Sequence, residues 1–166
     1  MKSKANFLLA FIFILSTVSC QSQKILDENS FNYQGITQLE VEGSFCDVNI
    51  RGVESDQLEF EGIIEGTWNP EDFEIKHEKK GNLLKVWIKR PSSISGIINI
   101  LKGKLDFKVP VKTNLEIVNS SGNVNIRGTA GKIFDIQTSS GDLIIEDRSG
   151  NAKAKTSSGN LKITNL

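Results

Sequence analysis

A single histidine, two cysteines and scattered carboxylates bound the chemistry open to this chain. A Ser-His-Asp triad needs an imidazole as general base, and His77 is the one available. It stands in Lys76-His77-Glu78-Lys79-Lys80, which reads as a charged, exposed turn, so no catalytic role is expected of it. A structural zinc site needs four closely spaced nitrogen or sulfur ligands, and His77, Cys20 and Cys46 do not supply them. The calcium-binding nonapeptide pattern is absent, because Asn123 and Asn160 fill the places equivalent to Asp142. Asp142, Glu146 and Asp147 are the carboxylates left for a stray calcium. Glycosidase chemistry uses paired carboxylates, and no acidic pair recurs in register here. The expectation is a protein without catalytic residues, metal or cofactor. One surface group stands out. Trp87 shares its strand phase with Lys85 and Lys89, opposite the apolar positions, and could stack on a sugar ring or a partner. The competing expectation is that the segment from Pro91 to Lys104, with Ile97, Ile98, Ile100 and Leu101, covers it.

The chain has 166 residues, enough for one domain with a real core. It carries 20 basic and 20 acidic side chains, a zero balance that argues against nucleic acid as partner. The apolar fraction of 38% fits a folded domain. The N-terminus opens with Lys2 and Lys4, followed by an almost wholly apolar run from Phe7 to Leu15. That run is too short to span a bilayer, which takes about 20 residues. It fits the core of a secretory signal peptide over residues 1–19. Cys20 then follows Ser16, Thr17, Val18 and Ser19. This arrangement resembles a bacterial lipoprotein lipobox, with Thr17 where that family prefers leucine. The resemblance implies that Cys20 is lipidated and anchors the chain to a membrane, with an outer-membrane location because Gln21 is not aspartate. The alternative is ordinary cleavage near Ser19, with Cys20 free to pair with Cys46 in an oxidising compartment and the protein periplasmic or secreted. Cys46 falls in phase with Val48 and Ile50 and is expected to be buried. Residues 20–35 are polar, lack periodicity, and read as a tether.

From Ile36 onward the chain alternates. Leu39 and Val41, Val48 and Ile50, Leu58 and Phe60, Phe73 and Ile75, Leu84 with Val86 and Ile88, and Leu105 with Phe107 and Val109 each recur at a period of two. That is the signal of half-buried strands. Charge is segregated: residues 27–74 hold 13 acidic side chains against Arg51 alone, and residues 76–112 hold ten basic against two acidic. Glu59 and Glu61 lie outward on one strand, Lys85 and Lys89 outward on another, and pairing of those strands would match them as ion pairs.

The last third repeats itself. Ser120-Ser121-Gly122, Ser139-Ser140-Gly141 and Ser157-Ser158-Gly159 stand at spacings of 19 and 18 residues. Two alternating apolar residues precede each triplet and two follow it, as Leu115 and Ile117 precede and Val124 and Ile126 follow the first. The glycines suit turn conformations closed to other residues. A period near twenty marks a repeat array. The reading is a β-solenoid, all-β, of units of about 18–19 residues stacked into a continuous apolar column, with serine and asparagine ladders at the corners. The alternative is an antiparallel meander or sandwich in which Ser121-Gly122 closes a hairpin and Ile117 faces Ile126. Val48-Asn49-Ile50-Arg51-Gly52 recurs as Val124-Asn125-Ile126-Arg127-Gly128, so the N-terminal half is expected to share the unit. The sequence ends at Leu166, just after the third unit, which would leave an edge strand unpaired.

Four segments together resemble a known group: V-N-I-R-G, G-N-L-L-K-V-W-I, F-K-V-P-V-K-T-N-L-E-I and the S-S-G-[ND]-[VL] repeats. They are similar to the bacterial "putative adhesin" β-strand repeat family of unknown function, related to head-domain "putative autotransporter adhesins", over residues 36–166. The resemblance implies a solenoid-like fold and carries over no catalytic residue. The functional expectation is a non-enzymatic envelope lipoprotein presenting a rigid β surface to an unknown protein or glycan. A structural or stress-regulatory accessory binding a membrane protein is the second reading, and a polysaccharide-active enzyme on a solenoid a remote third.

Overall fold

A computed structural model describes residues 23–67, 72–91 and 101–165. The signal segment, Cys20, Ile97, Ile98 and Ile100 lie outside the described residues, whereas residues 101–104, the end of the expected cover over Trp87, instead begin a strand in the sheet that does not hold Trp87. Thirteen strands and no helix make up the described chain. In order they are β1 (Lys24–Gln34), β2 (Gln38–Ser44), β3 (Asp47–Val53), β4 (Gln57–Gly66), β5 (Glu74–Lys80), β6 (Leu83–Lys89) and β7 (Leu101–Pro110). The repeats supply β8 (Asn114–Asn119), β9 (Val124–Arg127), β10 (Phe134–Ser140), β11 (Leu143–Glu146), β12 (Lys153–Ser158) and β13 (Leu161–Thr164). They form two mixed sheets, one ordered β1-β4-β7-β3-β9-β11-β13 and the other β12-β10-β8-β2-β6-β5.

Alternation decides which side chains fill the space between the sheets. Leu39, Val41, Val48, Ile50, Leu58, Phe60, Leu84, Val86, Leu105 and Phe107 all belong to one buried core. Each aliphatic side chain so buried contributes about 1.5–3 kcal/mol. Cys46 is fully buried in phase with Val48 and Ile50, as expected.

Each Ser-Ser-Gly unit gives its first strand to the six-stranded sheet and its second to the seven-stranded sheet. Successive units run parallel and in register: Ile117 pairs with Ile136, Ile136 with Ala154, Ile126 with Ile145, and Ile145 with Ile163. The antiparallel hairpin alternative is therefore overturned, since Ile117 and Ile126 lie in different sheets. The upstream echo is literal. Val48, Asn49, Ile50 and Arg51 pair directly with Val124, Asn125, Ile126 and Arg127.

A uniform one-way coil is not what the chain builds. The layer β2/β3 lies between β6/β7 and β8/β9, and all these contacts are parallel. Between β3 and β8 the chain leaves the stack, adds β4 and β5 antiparallel to β7 and β6, and returns through β6 and β7. It then passes β2/β3 to continue on their other side.

Three further expectations are corrected. Residues 24–34 are not a tether but strand β1, paired antiparallel along β4 from Lys24↔Gly66 to Gln34↔Gln57. Its period is hidden because two of the positions turned toward β5 are polar. Asp27 accepts the Ile75 N–H at 2.6 Å and Asn29 donates to the Ile75 carbonyl at 3.4 Å. Phe31, on the same phase, stacks on Phe60 at 4.6 Å between ring centroids. His77 is not in a turn; it sits in β5 with its ring 4.2 Å from that of Phe31. The acidic and basic blocks do pair, but through other strands than expected. Glu59 meets Lys108 at 2.7 Å, Lys85 meets Glu42 at 2.6 Å, and Lys89 meets Glu74 at 3.5 Å.

Candidate binding surface

The repeat turns are built for stacking. A Cβ on Gly141 would stand 2.3 Å from the Gly122 carbonyl oxygen, and one on Gly159 would stand 2.2 Å from that of Gly141. The glycines thus form a column in which each layer sits on the backbone below. The residue after each triplet ties the layers together. Asp47 Oδ1 accepts the Asn123 N–H at 2.8 Å, Asn123 Oδ1 accepts the Asp142 N–H at 3.0 Å, and Asp142 Oδ1 accepts the Asn160 N–H at 2.9 Å. Asp142 is thereby occupied, and about four residues of strand, roughly 13 Å, separate it from Glu146 and Asp147.

The six serines are exposed except for their backbones, which carry the layer contacts, such as Ser140 N–H to the Ser120 carbonyl at 2.8 Å. The corner ladder is one of amides and carboxylates, not of hydroxyls. Asn119 is buried, and its amide donates to the Cys46 and Gly122 carbonyls at 3.0 and 2.9 Å.

Trp87 lies half-buried on the outer face of the six-stranded sheet, between Lys76 on β5 and Glu42 on β2. The lysines that share its phase are committed to carboxylates. The Glu42 hydrogen bond holds Lys85 above the ordinary lysine range. Lys76 and Lys89 both reach Glu74, whose carboxyl is held below its ordinary range first by the Lys76 hydrogen bond. This face is a network of exposed ion pairs around one indole.

A groove of about 570 Å³ opens on the outer face of the other sheet, over β4, β7, β3, β9 and β11. Two rows of side chains cross it. In the first, Asn49 donates to Asp106 at 2.8 Å and Asn125 donates to Asn49 at 2.9 Å. Asp106 is also held by Lys104 at 2.7 Å. The row ends where Ile144 stands beside Asn125. The second row runs Glu59, Lys108, Arg51, Arg127, Glu146 across five strands. Its ends are neutralised: Lys108 bonds Glu59, and Arg127 Nε bonds Glu146 at 3.1 Å. Both cations are held above their ordinary ranges by those hydrogen bonds. The Arg51 guanidinium, between them, has no ion pair or hydrogen bond among the described residues. The sequence signal for this groove is the repeated Asn and Arg of the V-N-I-R echo, which fall on the outward phase. The echo reads as a mark of the repeat, and its polar half is what forms the site.

Among the described residues no group of three His, Cys, Asp or Glu side chains is placed to hold a metal ion. No helix there is long and apolar enough to cross a membrane.

The fold is shared with a solved "putative cell adhesion protein" from Clostridium sporogenes. That match has 14% identity, covers 85% of this chain and 99% of the other, and has a TM-score of 0.50. Weaker likenesses are a "putative adhesin" from Parabacteroides distasonis and one from Bacteroides fragilis. The first has 16% identity, covers 83% of this chain and 68% of the other, with a TM-score of 0.33. The second has 10% identity, covers 84% and 97%, with a TM-score of 0.29. No curated protein matches the sequence. The family model Toastrack DUF4097 matches residues 36–166, and the chain belongs to that family.

Proposed function

From this membership we propose that the chain is a non-enzymatic interaction protein of the bacterial cell envelope, anchored by lipid at Cys20 and presenting the outer faces of its two sheets. The observation that carries the reading is the make-up of those faces. Both are broad and lined with paired charges and amides, and among the described residues neither brings together an acid, a base and a nucleophile. The word adhesion attached to the Clostridium sporogenes protein of like fold is in keeping with it. The stacked two-strand units support reading residues 114–164 as a short β-solenoid, with β1, β4 and β5 as an added end piece.

The anchor and the interaction are separable in one experiment. Full-length protein and Cys20→Ser are expressed in a bacterial host and fractionated. The wild type is expected with membranes and the variant in the soluble fraction; identical soluble behaviour removes the anchor. Purified full-length protein is then incubated with isolated envelopes. Retention without change in the polymer is the expected result. Turnover of an envelope polymer that a point mutation abolishes overturns the non-enzymatic reading.

A further inference from the structure

We propose that the groove over β4, β7, β3, β9 and β11 binds a carboxylated glycan, with Arg51 as receptor for a sugar carboxylate and the Asn49–Asn125 row as receptor for hydroxyls. This rests on the interaction reading above and names its ligand. The parallel register sets Lys108, Arg51 and Arg127 side by side on adjacent strands, which lie about 4.8 Å apart. Like charges directly opposite one another destabilise a sheet. Glu59 and Glu146 relieve the outer two, and nothing among the described residues relieves Arg51. An anion seated on Arg51 would complete the alternation of the row, and a guanidinium fork matches a carboxylate with two parallel hydrogen bonds.

Charge count selects the anion. Lys108 and Arg127 already hold carboxylates, so along this row one positive charge, that of Arg51, is left over, and it is local: the groove as a whole sets Arg51, Lys108 and Arg127 against Glu59, Glu61, Asp106 and Glu146. That suits a monoanion such as a uronate better than a phosphate of nearly two charges. Glu61, which stands beside Asp106 with no ion pair among the described residues, repels any anion, and a phosphate of nearly two charges about twice as strongly as a monoanion.

The class of polymer follows from the backbone. The groove lies over strands whose two edges are both paired, so a peptide cannot add to it as a strand. A glycan needs no free edge. The side-chain Oδ1 of Asn125 accepts no hydrogen bond among the described residues and is open to a hydroxyl donor. A volume of about 570 Å³ falls in the usual range of ligand sites, and the open shape suits a chain passing along it.

The test uses the purified full-length protein in calorimetric titrations against polygalacturonate, its methyl ester and neutral dextran. Binding is expected for polygalacturonate alone. Arg51→Gln is expected to weaken it by about tenfold or more. Lys155→Gln, on the outer face of the other sheet, is expected to leave it unchanged. The melting temperature separates binding from structure: relief of like-charge repulsion predicts that Arg51→Gln melts no lower than wild type. Failure of wild type to bind polygalacturonate, equal binding to the methyl ester, or an undiminished Arg51→Gln each overturns the groove assignment. Wild-type retention on isolated envelopes tells the two readings apart. If Arg51→Gln is retained as well as wild type, the groove falls and the interaction reading stands; if wild type is not retained, the interaction reading itself falls.

Discussion

At the scale of the residue, Arg148 carries a load that no motif announces. It is 1% exposed, and its guanidinium reaches carbonyls of two successive turns. One nitrogen donates to Ser149 at 3.1 Å and Thr129 at 3.5 Å, and the other to Gly131 at 2.9 Å and Asn151 at 2.6 Å. The group lies over the Phe134 ring at 4.1 Å from its centroid. It pairs with no carboxylate among the described residues, and burial pulls its pKa below the ordinary arginine value. Arg148→Met strands these carbonyls in the interior and is expected to cost about 2–4 kcal/mol in urea unfolding. Arg148→Lys, which lacks the fork, should recover only part of that. Cys46 makes the opposite kind of prediction. Burial first, then the charge of Asp47, pushes its thiol up from 9.0 to about 12. Between those values the unfolded chain has lost the thiol proton and the folded one has kept it. Stability from this group is therefore whole below pH 9.0 and falls as pH rises toward about 12. Urea midpoints at about pH 8 and about pH 10.5 should diverge more for wild type than for Cys46→Ala. A thiol reagent should leave Cys46 unlabelled in the folded Cys20→Ser protein at neutral pH.

At the scale of the element, the turn column is sensitive to a single methyl group. Gly141→Ala drives a Cβ onto the Gly122 carbonyl and is expected to cost more than about 2 kcal/mol. Gly81, at φ +61° with nothing within 4 Å of the added carbon, is the comparison. There Ala should cost only about 1 kcal/mol of backbone strain. Thermal melts of the two variants read the difference. These turns also show how far the sequence was legible. Most strands from β2 onward announce themselves because Leu39, Val41, Val48, Ile50 and their successors alternate with polar residues, while the charged Lys76 to Lys80 end of β5 does not. The triplets mark the corners because only glycine can stack there. Strand β1 stayed hidden because Asp27 and Asn29 face inward to satisfy the edge of β5, so hydropathy does not alternate. The groove stayed hidden for another reason. Arg51 and Arg127 are 76 residues apart, and only the parallel pairing of β3 with β9 makes them neighbours.

At the scale of the molecule, the two ends of the stack are unlike. At one end β1 lies across the edge of β5 and closes the core with Phe31 and Tyr33. At the other, Leu161 and Ile163 of β13 are 45% and 37% exposed. Stability is expected to fall along the stack. Native-state hydrogen exchange should find the slowest amides in β3, β7 and β9 and the fastest in β12 and β13. Ile126→Ala should cost about 2–5 kcal/mol and Ile163→Ala under about 1 kcal/mol, since little is buried there. The displaced layer has a consequence in time. The layer β2/β3 is made early in synthesis, yet both of its neighbours, β6/β7 and β8/β9, come from later in the chain. Until they arrive, β2 and β3 wait as a nucleus with open flanks, and closing them requires long loops. Folding is thus set by late, distant pairings and belongs to the slow milliseconds-to-seconds regime of non-local β proteins. A chain crossing a membrane N-terminus first would meet its far side as unpaired strands that need shelter before they fold.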